Sequence, residues 1–221
     1  MPRAMVIAID GPVASGKTSV GRSLAKQLGY LFLDTGIMYR ALTWLALERG
    51  INVEDDGALG RLASETVIRL KDQDDDTVVI DGQEVSVELR QRRVDTAVSL
   101  VAKVPDVRSA LVKQQREIAI GGRIVAVGRD IGTVVLPEAD FKLYLVASVG
   151  ERAGRRHREL TKQGHEVEHD QVLRDLDARD ELDTGRAHSP LRPAGDALIL
   201  NTDGMALEQV VQRALEHVRE S

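Results

Sequence analysis

The chain has 221 residues, 43% of them hydrophobic and 29% charged, with a formal net charge of −5 and no cysteine. That is enough apolar sequence for one well-buried core with a small appended lobe, and it excludes disulfides, thiolate zinc sites and a cysteine nucleophile. The acidic balance and the 3% aromatic content argue against a broad nucleic-acid surface built on base stacking.

The first ten residues carry one Arg and a short apolar run, too short for a signal-peptide core or a membrane span, so a cytoplasmic location is expected. Met5 to Ile9 has the continuous apolar pattern of a buried parallel strand. Gly11 to Thr18 is glycine-rich. Beyond it Val20, Leu24 and Leu28 recur at helical spacing, with Gly29 as the stop. Tyr30 to Leu33 predicts a second strand. A helix follows to about Glu48, with Leu42, Leu45 and Ala46 on one face and Gly50 beyond it. Thr66 to Leu70 and Thr77 to Ile80 predict strands joined by the acidic turn 72–76, and Asp81-Gly82 is a hairpin dipeptide. This texture marks about 51–95 as an inserted lobe. Helical patterns then run to about Ala119, the second opened by Pro105. Ile124 to Val127, Phe141 to Val146 and Ala197 to Leu200 predict further strands. Residues 149–183 are helical and highly charged with a break near Gly164, and Leu207 to Val218 predicts the closing helix. Strands alternating with helices behind a glycine-rich first turn predict an α/β fold with a doubly wound parallel sheet.

Gly11, Pro12, Val13, Ala14, Ser15, Gly16, Lys17 and Thr18 fit G-x-x-x-x-G-K-[ST], with Ser19 next in the helix. Glycines let the backbone turn its N–H groups onto phosphate oxygens, and the following helix presents its positive end. Lys17 is expected to reach the β- and γ-phosphates of ATP, and the Thr18 hydroxyl is placed for Mg²⁺. A switch GTPase with this loop needs a guanine-reading N-K-x-D, which the sequence lacks. A nucleotide-binding module without activity would not account for the arginines. Phosphoryl transfer gathers several negative oxygens, and cations must meet them away from water. Arg152, Arg155, Arg156 and Arg158 form one group and Arg179 and Arg186 another; Arg40 and Arg129 follow predicted strands, where parallel sheets bind ligands. The competing reading is solvated helix faces paired with Glu151, Glu159, Asp175 and Asp177.

Four segments carry a resemblance: Gly-Pro-Val-Ala-Ser-Gly-Lys-Thr at 11–18, Asp-Thr-Gly-Ile-Met-Tyr-Arg at 34–40, Gly-Arg-Asp-Ile-Gly-Thr-Val-Val at 128–135, and Arg-Asp-Glu-Leu-Asp-Thr-Gly-Arg at 179–186 with Ser-Pro-Leu behind it. The chain resembles the bacterial cytidylate kinases over nearly its whole length. The resemblance implies a P-loop NTPase core, a small α+β lobe at 51–95 on the acceptor side and a helical lid at about 149–165. It implies ATP with Mg²⁺ as donor and CMP or dCMP as acceptor; kinases for UMP or AMP, or a nucleotide-switch ATPase, are the alternatives. Ser99, Arg108 and Asp130 match the positions that read cytosine, Arg179 and Asp183 those that hold the ribose, and Arg40, Arg129 and Arg186 those that clamp the acceptor phosphate. Asp34 and Thr35 belong to the same acceptor pocket, and Arg152, Arg155 and Arg156 to the lid over ATP, where with Lys17 they would act in catalysis. The chain departs from the family pattern at Ile37, where Ala is usual, and at Gly185. A monomer is expected, with no nucleic-acid polymer or membrane as partner.

Overall fold

The computed structural model describes residues 5–71 and 74–220. In chain order the elements are strand β1 (Val6–Asp10), helix α1 (Lys17–Leu28), β2 (Leu31–Asp34), α2 (Thr35–Glu48), α3 (Asp56–Glu65), β3 (Ile68–Lys71), β4 (Asp74–Ile80), β5 (Gln83–Val85), α4 (Arg92–Ala102), α5 (Pro105–Ala119), β6 (Ile124–Gly128), β7 (Phe141–Val146), α6 (Val149–Lys162), α7 (His169–Thr184), β8 (Leu198–Asn201) and α8 (Leu207–Glu220). A 3₁₀ turn covers Val87–Arg90 and a π-type turn Ile131–Val135. The chain divides into two compact units. One runs to Phe32 and resumes at Gly122; the other is Leu33–Gly121.

The first unit is built on a five-stranded sheet of order β2-β6-β1-β7-β8, of which β2 contributes Leu31 and Phe32 to this unit. β1 runs parallel to β6 and β7, and β7 parallel to β8. Burial of β6 at every position explains its unbroken apolar sequence. Ile7, Ile9, Leu24, Val125, Leu143 and Val211 lie in the main core, to which α1 and α8 contribute. Helix α1 lies close on the sheet. A Cβ at Gly21 would stand 2.5 Å from Val127 Cγ1 and 2.9 Å from Phe32 Cε2. Gly29 ends α1 with φ 65°, a left-handed cap that L side chains adopt at a cost. The strand order reverses on either side of β1, so its carboxyl end is a topological switch point. The α6–α7 pair has its own small cluster, Ala153, Val172 and Leu176, against which Val13 packs.

In the second unit Asp34 caps α2 by accepting the Gly36 N–H at 2.9 Å. Helix α2 buries ten of its fourteen residues, which explains an apolar sequence wider than a stripe. β3, β4 and β5 form an antiparallel sheet. Asp81 and Gly82 both have positive φ, 50° and 81°, the geometry their dipeptide predicts for a two-residue hairpin loop. The lobe also contains α3, which hairpin texture alone does not foretell; Gly57 and Gly60 dilute its helical period, and Asp55 caps it on the Ala58 N–H. Part of the acidic run read as a turn is strand, since β4 begins at Asp74 and ladder pairing uses backbone groups whatever the side chains. Asp72 and Gln73 lie outside the described residues.

Candidate active site

The glycine-rich loop leaves β1 at the switch point. Gly11 has φ 148°, and a Cβ there would sit 2.2 Å from the Leu145 carbonyl oxygen, so the loop's entry tolerates no side chain. Ala14 (φ 58°) and Gly16 (φ 96°) complete the wrap, and Val20 N–H donates to Gly16 O at 2.9 Å as α1 begins. Ser15 is fully buried, Pro12, Val13, Ala14 and Thr18 are half-buried, and Ser19 is exposed. Lys17 is buried with its ammonium turned onto the loop, donating to Pro12 O at 2.5 Å and to Ser15 Oγ at 3.4 Å. Above the loop there is room: a methyl on Gly16 would meet only Arg155 Nη1, at 3.9 Å. An open cradle of backbone amides at a helix N-terminus, with an ammonium at its wall, fits a polyphosphate. The Thr18 hydroxyl, one residue into α1, suits Mg²⁺, which takes few protein oxygens besides phosphate and water. No group of His, Cys, Asp or Glu among the described residues forms a metal cage.

Asp10 is a site residue that motif reading passed over. It closes β1 beside Gly128 of β6 and Tyr144 of β7. Its Oδ1 accepts the Ile131 N–H and its Oδ2 the Gly132 N–H, both at 2.7 Å. Burial pushes its carboxyl up to about 6, against the pull of those two N–H groups; Asp130 adds to the rise and Lys17 opposes it. Burial, followed by the Asp10 charge, also raises the Tyr144 hydroxyl. The signal available in the sequence was an acid ending a fully apolar strand one residue before the glycine loop. Asp130 is itself buried, with its carbonyl accepting the Val134 and Val135 N–H groups at 2.9 and 3.1 Å.

Asp183, near the end of α7 and 2% exposed, gathers the second cluster. Arg129 Nε donates to it at 2.8 Å, and Arg186 reaches its other oxygen. Leu191 N–H donates to Asp183 O at 2.9 Å, which folds the chain after Arg186 back onto the helix end. Burial pushes the Asp183 carboxyl up, but Arg129, Arg186 and Arg179 outweigh it and hold it below the usual carboxylate range. Gly185 has φ −79°, a conformation open to any residue, and a Cβ there would meet Glu181 O at 3.0 Å.

The arginines of α6 are bound closely to the protein. Arg152, 5% exposed, donates to Ala147 O at 3.0 Å and Val13 O at 3.2 Å and pairs with Asp180 at 2.6 Å. Arg155 pairs with Glu151 and donates to Thr202 Oγ1 at 3.0 Å and Thr202 O at 2.6 Å. Arg156 pairs with Glu159 one helical turn on. Glu151 and Glu159 are partners as helical spacing predicts, yet Arg152 and Arg155 also bridge α6 to the phosphate loop's wall and to the β8–α8 turn.

The second unit holds the remaining candidates. Arg40 of α2 donates to Leu89 O at 3.0 Å and pairs with Asp95 of α4 at 2.5 Å. Ser99, one turn beyond Asp95, is 9% exposed. Arg108 of α5 is 5% exposed, with its guanidinium 5.7 Å from the Tyr39 ring centroid. Thr35 is buried and Asp34 half-buried at the start of α2, and the unusual Ile37 is 9% exposed. Within each unit, then, a carboxylate holds arginines that the resemblance assigns to the acceptor phosphate: Asp95 holds Arg40, and Asp183 holds Arg129 and Arg186.

A parallel sheet, a glycine loop at its switch point and a lysine at the start of the following helix define a P-loop nucleotide-binding protein, and the cation clusters make it a phosphotransferase of the small kinase type. The same fold is seen in a gluconokinase from Sinorhizobium meliloti, similar over 98% of this chain and 93% of that one at TM-score 0.52 and 16% identity. The sequence model of the family described as cytidylate kinase matches residues 7–220. The chain is 46% identical to the cytidylate kinase of Carboxydothermus hydrogenoformans over 213 residues, 96% of each chain. It is 47% identical to that of Pelotomaculum thermopropionicum over 214 residues, 96% of this chain and 95% of that one. The chain belongs to the cytidylate kinase family.

Proposed function

We infer that the protein transfers the γ-phosphoryl group of ATP to CMP or dCMP, giving ADP and CDP or dCDP. The observation that carries this is the family match across 7–220, joined to a phosphate loop at the switch point of the sheet. Transfer is direct and in line. Little covalent work falls to the protein, so catalysis is positioning, charge neutralisation and exclusion of water. The loop amides of 11–18 bind the β- and γ-phosphates, and Lys17 swings from Pro12 O onto them. The Thr18 hydroxyl would hold Mg²⁺, which would neutralise phosphate charge. Arg40, Arg129 and Arg186 fix the acceptor phosphate through forked contacts. Ser99, Arg108 and Asp130 pair with the cytosine edge, and Arg179 and Asp183 with the ribose. Asp34 and Thr35 border the acceptor phosphate. Arg152, Arg155 and Arg156 stand over the donor from a lid at about 149–165, and the lobe at about 51–95 lies on the acceptor side. Uracil reverses part of the hydrogen-bonding pattern of cytosine and leaves buried groups unpaired, which is a strong means of discrimination.

The test is ADP formation from Mg·ATP with CMP, dCMP, UMP, AMP and GMP offered separately, against a control without acceptor. ADP dependent on CMP or dCMP is expected. Equal ADP with and without acceptor would mean an ATPase, and UMP or AMP as the best acceptor would move the protein to another base.

A further inference from the structure

We propose that Asp10 is a positioning residue, holding the Arg129–Gly132 segment in the shape that receives the acceptor. The proposal rests on the acceptor role of Arg129 and Asp130 inferred above. Ile131 and Gly132 are the first two residues of the π-type turn, and first-turn N–H groups have no carbonyl within their own helix to accept them. Asp10 supplies both acceptors, one oxygen to each N–H at 2.7 Å. An ionised carboxylate is acceptor on both oxygens; the isosteric amide of Asn would set a donor against one of the two N–H groups. The peptide that joins Asp130 to Ile131 is held at both its polar ends: its carbonyl accepts from Val134 and Val135, and its N–H donates to Asp10. Asp130 itself stands at φ −146° and ψ 30°.

Space is as restricted as bonding. A Cβ on Gly132 would stand 3.1 Å from Lys142 Cδ and 3.4 Å from Asp10 Oδ2. Asp10 also immediately precedes Gly11, so one residue joins the strand that enters the phosphate loop to the segment that carries Arg129 and Asp130. The location is electrostatically unfavourable for an acid: it is 4% exposed, and Asp130 is among the charges acting on it, with Lys17 the opposing cation. A negative group kept there works against stability, while its two oxygens fix loop geometry that a neutral side chain would not.

Steady-state kinetics on Asp10→Asn, Asp10→Glu and Asp130→Ala, varying CMP and ATP in turn, test this. Asp10→Asn is expected to lower kcat/KM for CMP on the order of 10-fold, the worth of one charged hydrogen bond, with KM for ATP little changed. Asp10→Glu keeps the charge but advances the oxygens by a methylene, so it is expected to remain impaired. The ratio of the two KM values does not depend on the folded fraction, so poor folding of either variant leaves the result readable. Wild-type kinetics in Asp10→Asn, wild-type kinetics in Asp10→Glu, or an equal rise in both KM values would overturn the proposal. If Asp130→Ala also leaves CMP kinetics untouched, the acceptor reading of the segment falls with it; if Asp130→Ala is impaired and Asp10→Asn is not, the proposal alone falls.

Discussion

At the scale of single residues the candidate site consists of charges that the protein itself already holds. Lys17 rests on Pro12 O, Arg40 on Asp95, and Arg129 and Arg186 on Asp183. Lys17, which donates to Pro12 O and Ser15 Oγ, is the cation whose replacement is expected to leave the fold in place. Lys17→Ala is expected to lower kcat by roughly 10²–10³, the usual effect of deleting one group that stabilises transition-state charge. The circular-dichroism spectrum should be unchanged, and near-normal turnover in the folded variant would take Lys17 out of the mechanism. The acids make a prediction about pH. Burial pushes the Asp10 carboxyl up to about 6 in the folded chain, above its ordinary value of 3.8, so it favours the folded state most when protonated. That stability is full below about pH 3.8 and is lost as pH rises through 6, a change of about 3 kcal/mol. Asp183 works the other way: its depressed carboxyl stabilises the fold above the ordinary carboxylate range and loses that effect as pH falls below it. Urea unfolding of wild type and Asp10→Asn between pH 5 and 7.5 should show the wild type losing stability relative to the variant as pH rises. Parallel curves would mean that Asp10 titrates normally.

Elements place these residues through a few close approaches. Gly21 lets α1 lie against Val127 and Phe32, so α1 starts where the loop needs its N-terminus. Gly21→Ala favours the helix intrinsically but overpacks this contact, and destabilisation of about 1–3 kcal/mol is expected. Chemical denaturation measures it, and an unchanged midpoint would show that helix and sheet part easily. The element scale also shows where sequence reading stops. The strands of the first unit, its helices α1 and α8, and the hairpin at Asp81-Gly82 were legible because period and turn chemistry are local. Helix α3 was not, its apolar positions being spaced among glycines. Nor was the π-type turn at Ile131–Val135, because its first N–H groups are satisfied by Asp10, 121 and 122 residues away.

For the molecule as a whole, the division at Phe32 and Gly121 puts the glycine loop in one unit and Arg40, Ser99 and Arg108 in the other. If these three bind CMP, saturating CMP alone should slow amide hydrogen exchange within 33–121. At a hundredfold excess over Kd it should also stabilise the folded state by about 2.7 kcal/mol. Exchange in 33–121 that is indifferent to CMP would count against that unit as an acceptor domain. No helix among the described residues is long and apolar enough to cross a membrane.

By itself the sequence determined the phosphate loop, the alternation of strands and helices, and the set of residues to ask about, because glycine conformation, hydrophobic period and motif spacing are properties of neighbouring residues. Tertiary structure alone decided which charges meet: that Asp183 serves Arg129 and Arg186 together, that Asp95 holds Arg40, that Arg152 is bound to Val13 and Asp180, and that Asp10 accepts the Ile131 and Gly132 N–H groups. Those pairings depend on strand order and on where α7 brings its last turn, and an ionised side chain takes its role from whatever charge or N–H the fold sets within about 3 Å of it.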